Sequence, residues 1–383
     1  MPQPAAPESS NPLQPTSLLP ARRVASLAVA CLLASIPLVA PMASAQLMVS
    51  IDYQGPSATA WTVDPGGVYM MQPGPGWHSL FWTPFHLGVM PSVWNYAEID
   101  AFSFGQDSAL ARDGDYWADG YRLLFSTDEF AGGMPATGTP SVWSEGLGGS
   151  QEAAGDIQVA QLMPSQVAPP LWTFYGHTSA VDGDGVFPWG GPSLGLVEVP
   201  FSGAGPGPDA DDNIDALDFW QQSAFMRLYF SLDGDSADPL EGGLPALATA
   251  NLNGVLGSDI LVSDGSGSFS VWATAADLGL DANDDIDALV VWENGDATFN
   301  PAAQPFDWQD GDVDMVLFSV RRGSAVIGWP DSHLGLPIQE GDVLTAPCTV
   351  PGPCVVNTEP AIVLRADSLG LAVGDDLTAA TLR

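Results

Sequence analysis

The stretch Asp281-Ala282-Asn283-Asp284-Asp285-Ile286-Asp287-Ala288-Leu289 occurs a second time, almost unchanged, as Asp209-Ala210-Asp211-Asp212-Asn213-Ile214-Asp215-Ala216-Leu217. A shortened form, Glu98-Ile99-Asp100-Ala101-Phe102, precedes both of them, and a degenerate form lies at residues 375–380. Each form is an acidic turn that leads into an apolar run. Four copies of one motif in a single chain indicate internal repeats.

A second motif, an apolar strand that ends in serine, also recurs four times. These serines are Ser50, Ser126, Ser231 and Ser319. Each copy continues with another apolar run and then with a Leu-Gly-apolar signature, whose glycine we expect to take a backbone conformation that other residues resist. The four repeats span residues 47–103, 121–220, 226–292 and 314–383.

Each repeat holds about four short segments rich in Val, Ile, Phe, Tyr and Leu and bounded by turn residues, which is typical of β-strands. Four repeats of four strands predict an all-β fold, a four-bladed β-propeller. If every blade begins with the Ile-Asp-Ala strand, one blade is composite: residues 377–382 pair with the strand around Val49 and close the ring. The alternative is two β-sandwich domains with a boundary near residues 202–208.

Three Ile-Asp-Ala segments and three aromatic strands carry a resemblance to a known family; they are Ile99-Asp100-Ala101, Ile214-Asp215-Ala216, Ile286-Asp287-Ala288, Phe125, Phe230 and Phe318. Their order resembles the blades of hemopexin-like propellers. The resemblance implies that the Asp of each motif lies near a central channel where ions are held. It points to Asp100, Asp215 and Asp287, and Thr378 stands at the fourth position.

The two long acidic turns alternate oxygen-bearing side chains, a pattern that suits a hard cation such as calcium, which takes six to eight oxygen ligands. The predicted ligands are Asp209, Asp211, Asn213, Asp215, Asp281, Asn283, Asp285 and Asp287. Neither turn has the glycine and glutamate that a helix-loop-helix calcium loop requires. The alternative is a solvated turn in which Asp caps backbone amides.

The charge of the chain is extreme, with 46 acidic residues, nine basic residues and a net charge of -37. All nine basic residues are arginine. The absence of lysine excludes Schiff-base catalysis and a phosphate-loop lysine. Nucleic acid and anionic membranes are poor partners because both require basic patches.

Residues 1–45 have the features of an export signal: Arg22-Arg23, an apolar run over residues 24–40 and the small-residue site Ala43-Ser44-Ala45. We therefore expect a mature chain of residues 46–383 that forms one repeat-built domain at the cell surface, outside the cell or in the periplasm. No later apolar stretch reaches the length of a membrane span.

Two cysteines remain in the mature chain, Cys348 and Cys354, and the Pro-Gly turn between them can bring their sulfur atoms together. An oxidising compartment favours a disulfide that closes this small loop. The alternative is two free thiols.

These features predict a secreted, non-catalytic binding or structural protein stabilised by calcium. Trp172 and Trp189 lie near Gly and Pro, where an exposed ring can stack on a sugar, so the candidate partners are an extracellular glycan or a cell-surface component. The alternative is a secreted carbohydrate-active enzyme of the glycoside hydrolase type that uses paired Asp and Glu. We favour the non-enzymatic role because the four histidines show no metal-ligand spacing.

Overall fold

The computed structural model describes residues 47–52, 54–57, 64–71, 78–91, 98–104, 121–128, 131–134, 141–142, 153–162, 177–185, 191–196, 212–222, 225–234, 249–304, 307–308, 312–349 and 357–382. All of them belong to one structural unit that begins at Ser44. Within these residues the chain forms eighteen β-strands and a few helical turns. None of those helices is long and apolar enough to cross a membrane.

In chain order the strands are β1 (Leu47–Ser50), β2 (Val68–Met71), β3 (His78–Trp82), β4 (Val89–Pro91), β5 (Ala101–Ser103), β6 (Tyr121–Ser126), β7 (Ala131–Gly133), β8 (Ile157–Leu162), β9 (His177–Val181), β10 (Ala216–Gln222), β11 (Phe225–Ser231), β12 (Ile260–Ser263), β13 (Phe269–Ala273), β14 (Ile286–Trp292), β15 (Met315–Val320), β16 (Val343–Thr345), β17 (Ala361–Leu364) and β18 (Ala379–Leu382). The helices are α1 (Pro84–Leu87), α2 (Thr249–Asn253) and α3 (Ala275–Leu278), with a 3-10 turn at Ala366–Leu369.

Sixteen of the strands form four antiparallel sheets of four strands each. We name them blade 1 (β18-β1-β2-β3), blade 2 (β5-β6-β8-β9), blade 3 (β10-β11-β12-β13) and blade 4 (β14-β15-β16-β17). Strands β4 and β7 make a separate pair. The first strand of each blade contacts the first strand of the next, so that β5, β10, β14 and β18 surround a common axis. The predicted four-bladed β-propeller is therefore confirmed, and the two-sandwich alternative is excluded.

Blade 1 is the composite blade that the sequence predicts. Strand β18 pairs antiparallel with β1, with Leu382 opposite Leu47 and Ala379 opposite Ser50. The two ends of the described chain thus share one sheet and close the ring. Each sequence repeat starts at the second strand of one blade and ends with the first strand of the next, so repeat and blade are offset by one strand.

The Leu-Gly signature marks a turn with a left-handed glycine in all four repeats. The φ angles are 78° at Gly88, 81° at Gly195, 78° at Gly279 and 81° at Gly370. Three of these glycines end a single helical turn instead of a strand. At α1 and α3 a threonine starts that turn with a reciprocal capping box, which favours the helical conformation.

The cores lie between neighbouring blades, where apolar residues from two sheets interdigitate. Between blades 3 and 4, for example, Tyr229 and Trp272 from one blade meet Phe318 from the other. Tyr229 and Trp272 are in edge contact, with ring centroids 4.9 Å apart. This packing fixes the blades and leaves the start of each first strand beside the central axis.

Candidate metal centre

The candidate site lies where the first strand of each blade begins. In blade 4 a β-bulge at Asp287 interrupts the pairing of β14 with β15, because Ile286 lies opposite Val320 while Ala288 lies opposite Ser319. A bulge places an extra residue outside the ladder and redirects its side chain. In blade 4 the Ile-Asp-Ala motif therefore forms a bulge, which the sequence alone does not indicate.

Three positions of each blade hold polar or charged residues where its first strand begins and its second strand ends. The motif position, between Ile and Ala, holds Asp100, Asp215, Asp287 and Thr378. The turn position, before the Ile or Leu, holds Glu98, Asn213, Asp285 and Asp376. The second-strand position, two residues after the repeat serine, holds Asp52, Asp128, Asp233 and Arg321. Nine of these twelve residues are acidic, and seven of those nine are buried.

Asp215, Asp233 and Asp285 form the tightest of these groups, which we call the acidic triad. One carboxylate oxygen from each lies within 4.8 Å of the other two. Asp215 directly precedes β10 of blade 3, Asp233 follows β11 of the same blade, and Asp285 directly precedes β14 of blade 4. Two oxygens that each bind one calcium ion at 2.3–2.6 Å are at most about 5 Å apart, so the triad matches the spacing of calcium ligands.

The position of the triad follows from the register of the repeats. Each boundary combines the motif and second-strand positions of one blade with the turn position of the next. The boundary between blades 3 and 4 has an acidic residue at all three of these positions. Every other boundary has one substitution: Asn213, Arg321 or Thr378. In the described part of the chain, only this group has metal-ligand geometry.

The triad is tightly enclosed. The side chain of Asp285 is fully buried, and its Oδ2 accepts a hydrogen bond of 2.9 Å from the amide of Gly234. A Cβ atom added to Gly257 would collide with Asp285 Oδ1, so both glycine backbones approach this carboxylate closely. Gly234 and Gly257 therefore form a cradle that a larger residue would fill.

Some buried oxygens near the triad have no hydrogen-bond donor among the described residues. They include Oδ2 of Asp215, whose residue is 6% exposed, and Oδ1 of Asn213, whose residue is 5% exposed. Buried polar atoms in native proteins are almost always satisfied, and an ion or water commonly completes such a site. The unsatisfied oxygen of Asp215 is a second indication of a cation.

Arg321 supplies positive charge from the equivalent position of blade 4. Its Nη1 lies 2.8 Å from Asp233 Oδ1, 3.6 Å from Asp285 Oδ2 and 4.0 Å from Asp215 Oδ2. Its backbone amide also donates to the carbonyl oxygen of Asp285 at 3.0 Å. One guanidinium thus contacts carboxylate oxygens of all three triad residues.

Burial raises the pKa of Asp215 well above its usual value, and the charges of Asp233 and Asp285 raise it further, against the opposing charge of Arg321. In water a carboxyl group is ionised at neutral pH, but burial favours the neutral form. A divalent cation would reverse this preference. The triad is therefore suited to exchange a proton for a metal ion.

A second acidic pair lies at the boundary between blades 4 and 1. Burial raises the pKa of Asp287, and the charge of Asp376 raises it further. Burial also raises the pKa of Asp376 to about 7, although its Oδ2 accepts a hydrogen bond of 2.5 Å from the amide of Arg322. The guanidinium of Arg322 pairs with Asp52 at 2.7 Å.

The predicted loop ligands separate into two groups. Asp281 and Asn283 are exposed, and Asp281 Oδ1 accepts hydrogen bonds from the amide and side chain of Asn283. Asp285 belongs to the triad, and Asp287 lies near Asp376. The loop separates them because Asp284 folds it back, accepting hydrogen bonds from the amides of Asp281 and Val326.

In the other predicted loop, Asp215 belongs to the triad. Asn213, two residues earlier in the chain, is also buried. Asp209 and Asp211 lie outside the described residues. Asp100 is buried at the start of blade 2. Neither Asp233 nor Arg321 is among the predicted ligands, and the signal that identifies both is their common offset of two residues from the repeat serine.

Four predicted site residues remain, and the structure describes one of them, Cys348, which is buried. The other three, Trp172, Trp189 and Cys354, lie outside the described residues. The predicted sugar platforms and the predicted disulfide therefore stay predictions.

None of the protein-family models, curated proteins or solved structures compared with this chain matches it. The resemblance to hemopexin-like propellers stays a prediction that rests on short motifs.

Proposed function

We propose that this protein is an exported, non-catalytic binding or structural protein whose propeller is stabilised by a calcium ion at Asp215, Asp233 and Asp285. The observation that carries the proposal is the acidic triad itself, in which three carboxylates from two blades, two of them buried, lie within 4.8 Å of one another. The ligand atoms are all oxygen, which suits calcium or another hard cation better than zinc or copper.

The ion would act as a clamp between blades 3 and 4. Without it, three carboxylates from two blades share one buried space with a single guanidinium. Repulsion between like charges in a buried site opposes their ionisation and favours separation of the blades. A bound divalent cation removes this repulsion and gives each carboxylate an attractive partner.

Export is part of the same proposal. The signal-like residues 1–45 would deliver the mature chain to a compartment where calcium is abundant and the Cys348–Cys354 disulfide can form. Calcium sites of extracellular modules typically have dissociation constants of about 10⁻⁴–10⁻³ M. The proposed partner is an extracellular glycan or a cell-surface component, with Trp172 and Trp189 as candidate stacking platforms. A glycoside hydrolase role stays the alternative.

The test is thermal unfolding of the mature chain from Gln46, with millimolar calcium and with a chelator. A ligand that binds only the folded state stabilises it, by about 1.4 kcal/mol at a tenfold excess over the dissociation constant. We expect calcium to raise the unfolding temperature of the wild type. Asp285→Asn should abolish this increase because it removes one charge from the triad.

The matched control is Asp281→Asn, which removes the same charge from the exposed part of the same loop. It should keep the calcium-dependent increase. If Asp281→Asn abolishes the increase and Asp285→Asn keeps it, the ion binds the exposed loop instead. If calcium has no effect on the wild type, the proposal is wrong.

A further inference from the structure

We propose that Arg321 is a tethered counter-cation that occupies the acidic triad in the metal-free protein and that calcium must displace. This inference rests on the proposed function, because it concerns how the same site is filled. The inference goes beyond the proposed function because it assigns Arg321 the role of setting the affinity of the site for calcium.

The first step of the argument is the register of the repeats. Arg321 stands two residues after Ser319, where the other three blades have Asp52, Asp128 and Asp233. One blade thus places a permanent positive charge where its equivalents place a negative one. Arginine stays protonated throughout the physiological range, so pH does not remove this charge.

The second step is the position of the guanidinium. Its Nη1 atom lies within 4.0 Å of a carboxylate oxygen of Asp215, Asp233 and Asp285 at once. A calcium ion bound to those three residues would lie about 2.3–2.6 Å from its ligand oxygens. An ion there and Nη1 in its present place would be neighbouring cations inside a buried site. Their repulsion favours one occupant at a time.

The third step is that the strand can stay in place while the guanidinium moves. The backbone of Arg321 is held because its amide donates to the carbonyl oxygen of Asp285 at 3.0 Å. Rotation of the side chain alone therefore moves the charge away from the triad.

The consequence is a lower calcium affinity than the three carboxylates would give without Arg321. Calcium has to replace an internal ion pair, so its binding free energy is reduced by the cost of displacing that pair. The triad would then fill only where calcium is abundant, and the metal-free propeller would keep a positive charge between blades 3 and 4.

The experiment is calorimetric titration of calcium chloride into the chelator-treated mature chain and into Arg321→Gln. We expect the variant to bind calcium more tightly by about fivefold or more, the lower end of typical coupling between two ligands. The matched control is Arg365→Gln, which removes the same charge from a residue that pairs with exposed Asp367 in blade 4. Its dissociation constant should stay within about twofold of the wild type.

The outcomes separate this inference from the proposed function. Unchanged or weaker binding by Arg321→Gln, with normal binding by the wild type, overturns the counter-cation role and leaves the calcium site intact. Absence of binding heat and of thermal stabilisation in the wild type and both variants overturns both proposals.

A measurement on the wild type covers the case in which Arg321→Gln does not fold. The guanidinium N–H resonances of Arg321 can be followed by NMR during calcium titration and assigned with Arg321→Lys. Displacement predicts that the Arg321 resonance shifts until the site is saturated. A resonance that stays unchanged in calcium-saturated protein contradicts the inference.

Discussion

The hydroxyl group of Ser231 in blade 3 donates a hydrogen bond of 2.8 Å to the carbonyl oxygen of Ile286, the first residue of blade 4. Both residues belong to motifs that recur in the sequence, and both are buried. Equivalent bonds join Ser126 to Ile214 at 2.7 Å and Ser319 to Leu377 at 2.8 Å. The two repeat motifs are therefore the donor and acceptor of one contact between neighbouring blades.

The boundary between blades 1 and 2 makes this contact differently. Ser50 donates to the carbonyl oxygen of Pro65 within its own blade, and the hydroxyl group of Thr378 donates to Ile99 at 3.0 Å. Thr378 is also the residue that replaces Asp at the motif position. An ionised carboxylate has no proton to donate, so the hydroxyl group explains the departure from the motif at this one boundary.

We predict that Ser231→Ala destabilises the propeller by about 1–3 kcal/mol, because it leaves the buried carbonyl oxygen of Ile286 without its donor. Urea unfolding followed by tryptophan fluorescence measures this change. The matched control is Ser270→Ala on the exposed side of β13, which should change stability by no more than about 0.5 kcal/mol. Equal effects of the two substitutions would show that the bond contributes nothing.

We predict that Thr378→Val destabilises the protein, whereas Thr378→Ser keeps most of the stability. Valine has a similar shape but no hydroxyl group, so the carbonyl oxygen of Ile99 loses its donor. Serine keeps that group. The free energy of unfolding of both variants, measured side by side in urea, tests the assignment; a serine variant as unstable as the valine variant contradicts it.

The sequence predicts the blade number, the strand content and the closure because these depend on repeated local patterns. Hydrophobic strands bounded by turn residues recur with the same order of motifs, and a ring of repeats leaves its first and last strands to pair with each other. The left-handed glycines are also predictable, since Gly279 and its equivalents follow a buried leucine at the same place in each repeat.

The sequence does not predict the triad, because its members come from two blades and from different motifs. Alternation along one loop suggests that Asp281, Asn283, Asp285 and Asp287 share an ion, yet the turn around Asp284 separates them. Asp233 joins Asp285 only because the register between strands brings a second-strand residue beside the next blade. Such a relationship needs the pairing of the sheets as well as the motif.

We predict that removal of residues 378–383 abolishes cooperative unfolding. The deletion removes β18, whose residues are buried and whose backbone pairs with β1 from Leu47 to Ser50. Blade 1 would lose its first strand and expose an unpaired edge beside the axis. Differential scanning calorimetry should show no sharp transition. Deletion of Arg383 alone is the control, and it should keep the wild-type transition, because this residue lies beyond the last residue of β18.

The last prediction concerns His177 on β9, which links blade 2 to the turn beside blade 1. Its Nδ1 donates to the carbonyl oxygen of Leu87 at 2.7 Å, and its Nε2 accepts from the amide of Val142 at 3.0 Å, so the ring is neutral in the folded protein. Burial lowers the pKa of His177 from 6.5 to about 4. A charged ring would lose the acceptor that Val142 requires.

The sign of the pH dependence follows from this lowered pKa. Between pH 4 and pH 6.5 the unfolded chain binds a proton at His177 that the folded chain does not, so folding is weakened as the pH falls. The contribution of His177 to the free energy of unfolding is fully present above pH 6.5. It falls by up to about 3 kcal/mol as the pH approaches 4. The difference in unfolding free energy between wild type and His177→Gln should shrink or change sign over this window.

The difference between the two proteins isolates His177 from the acidic residues, which are present in both. A constant difference between wild type and His177→Gln from pH 4 to pH 7 would contradict the prediction. It would mean that His177 takes up its proton at the same pH in the folded and the unfolded protein, so that burial does not lower its pKa.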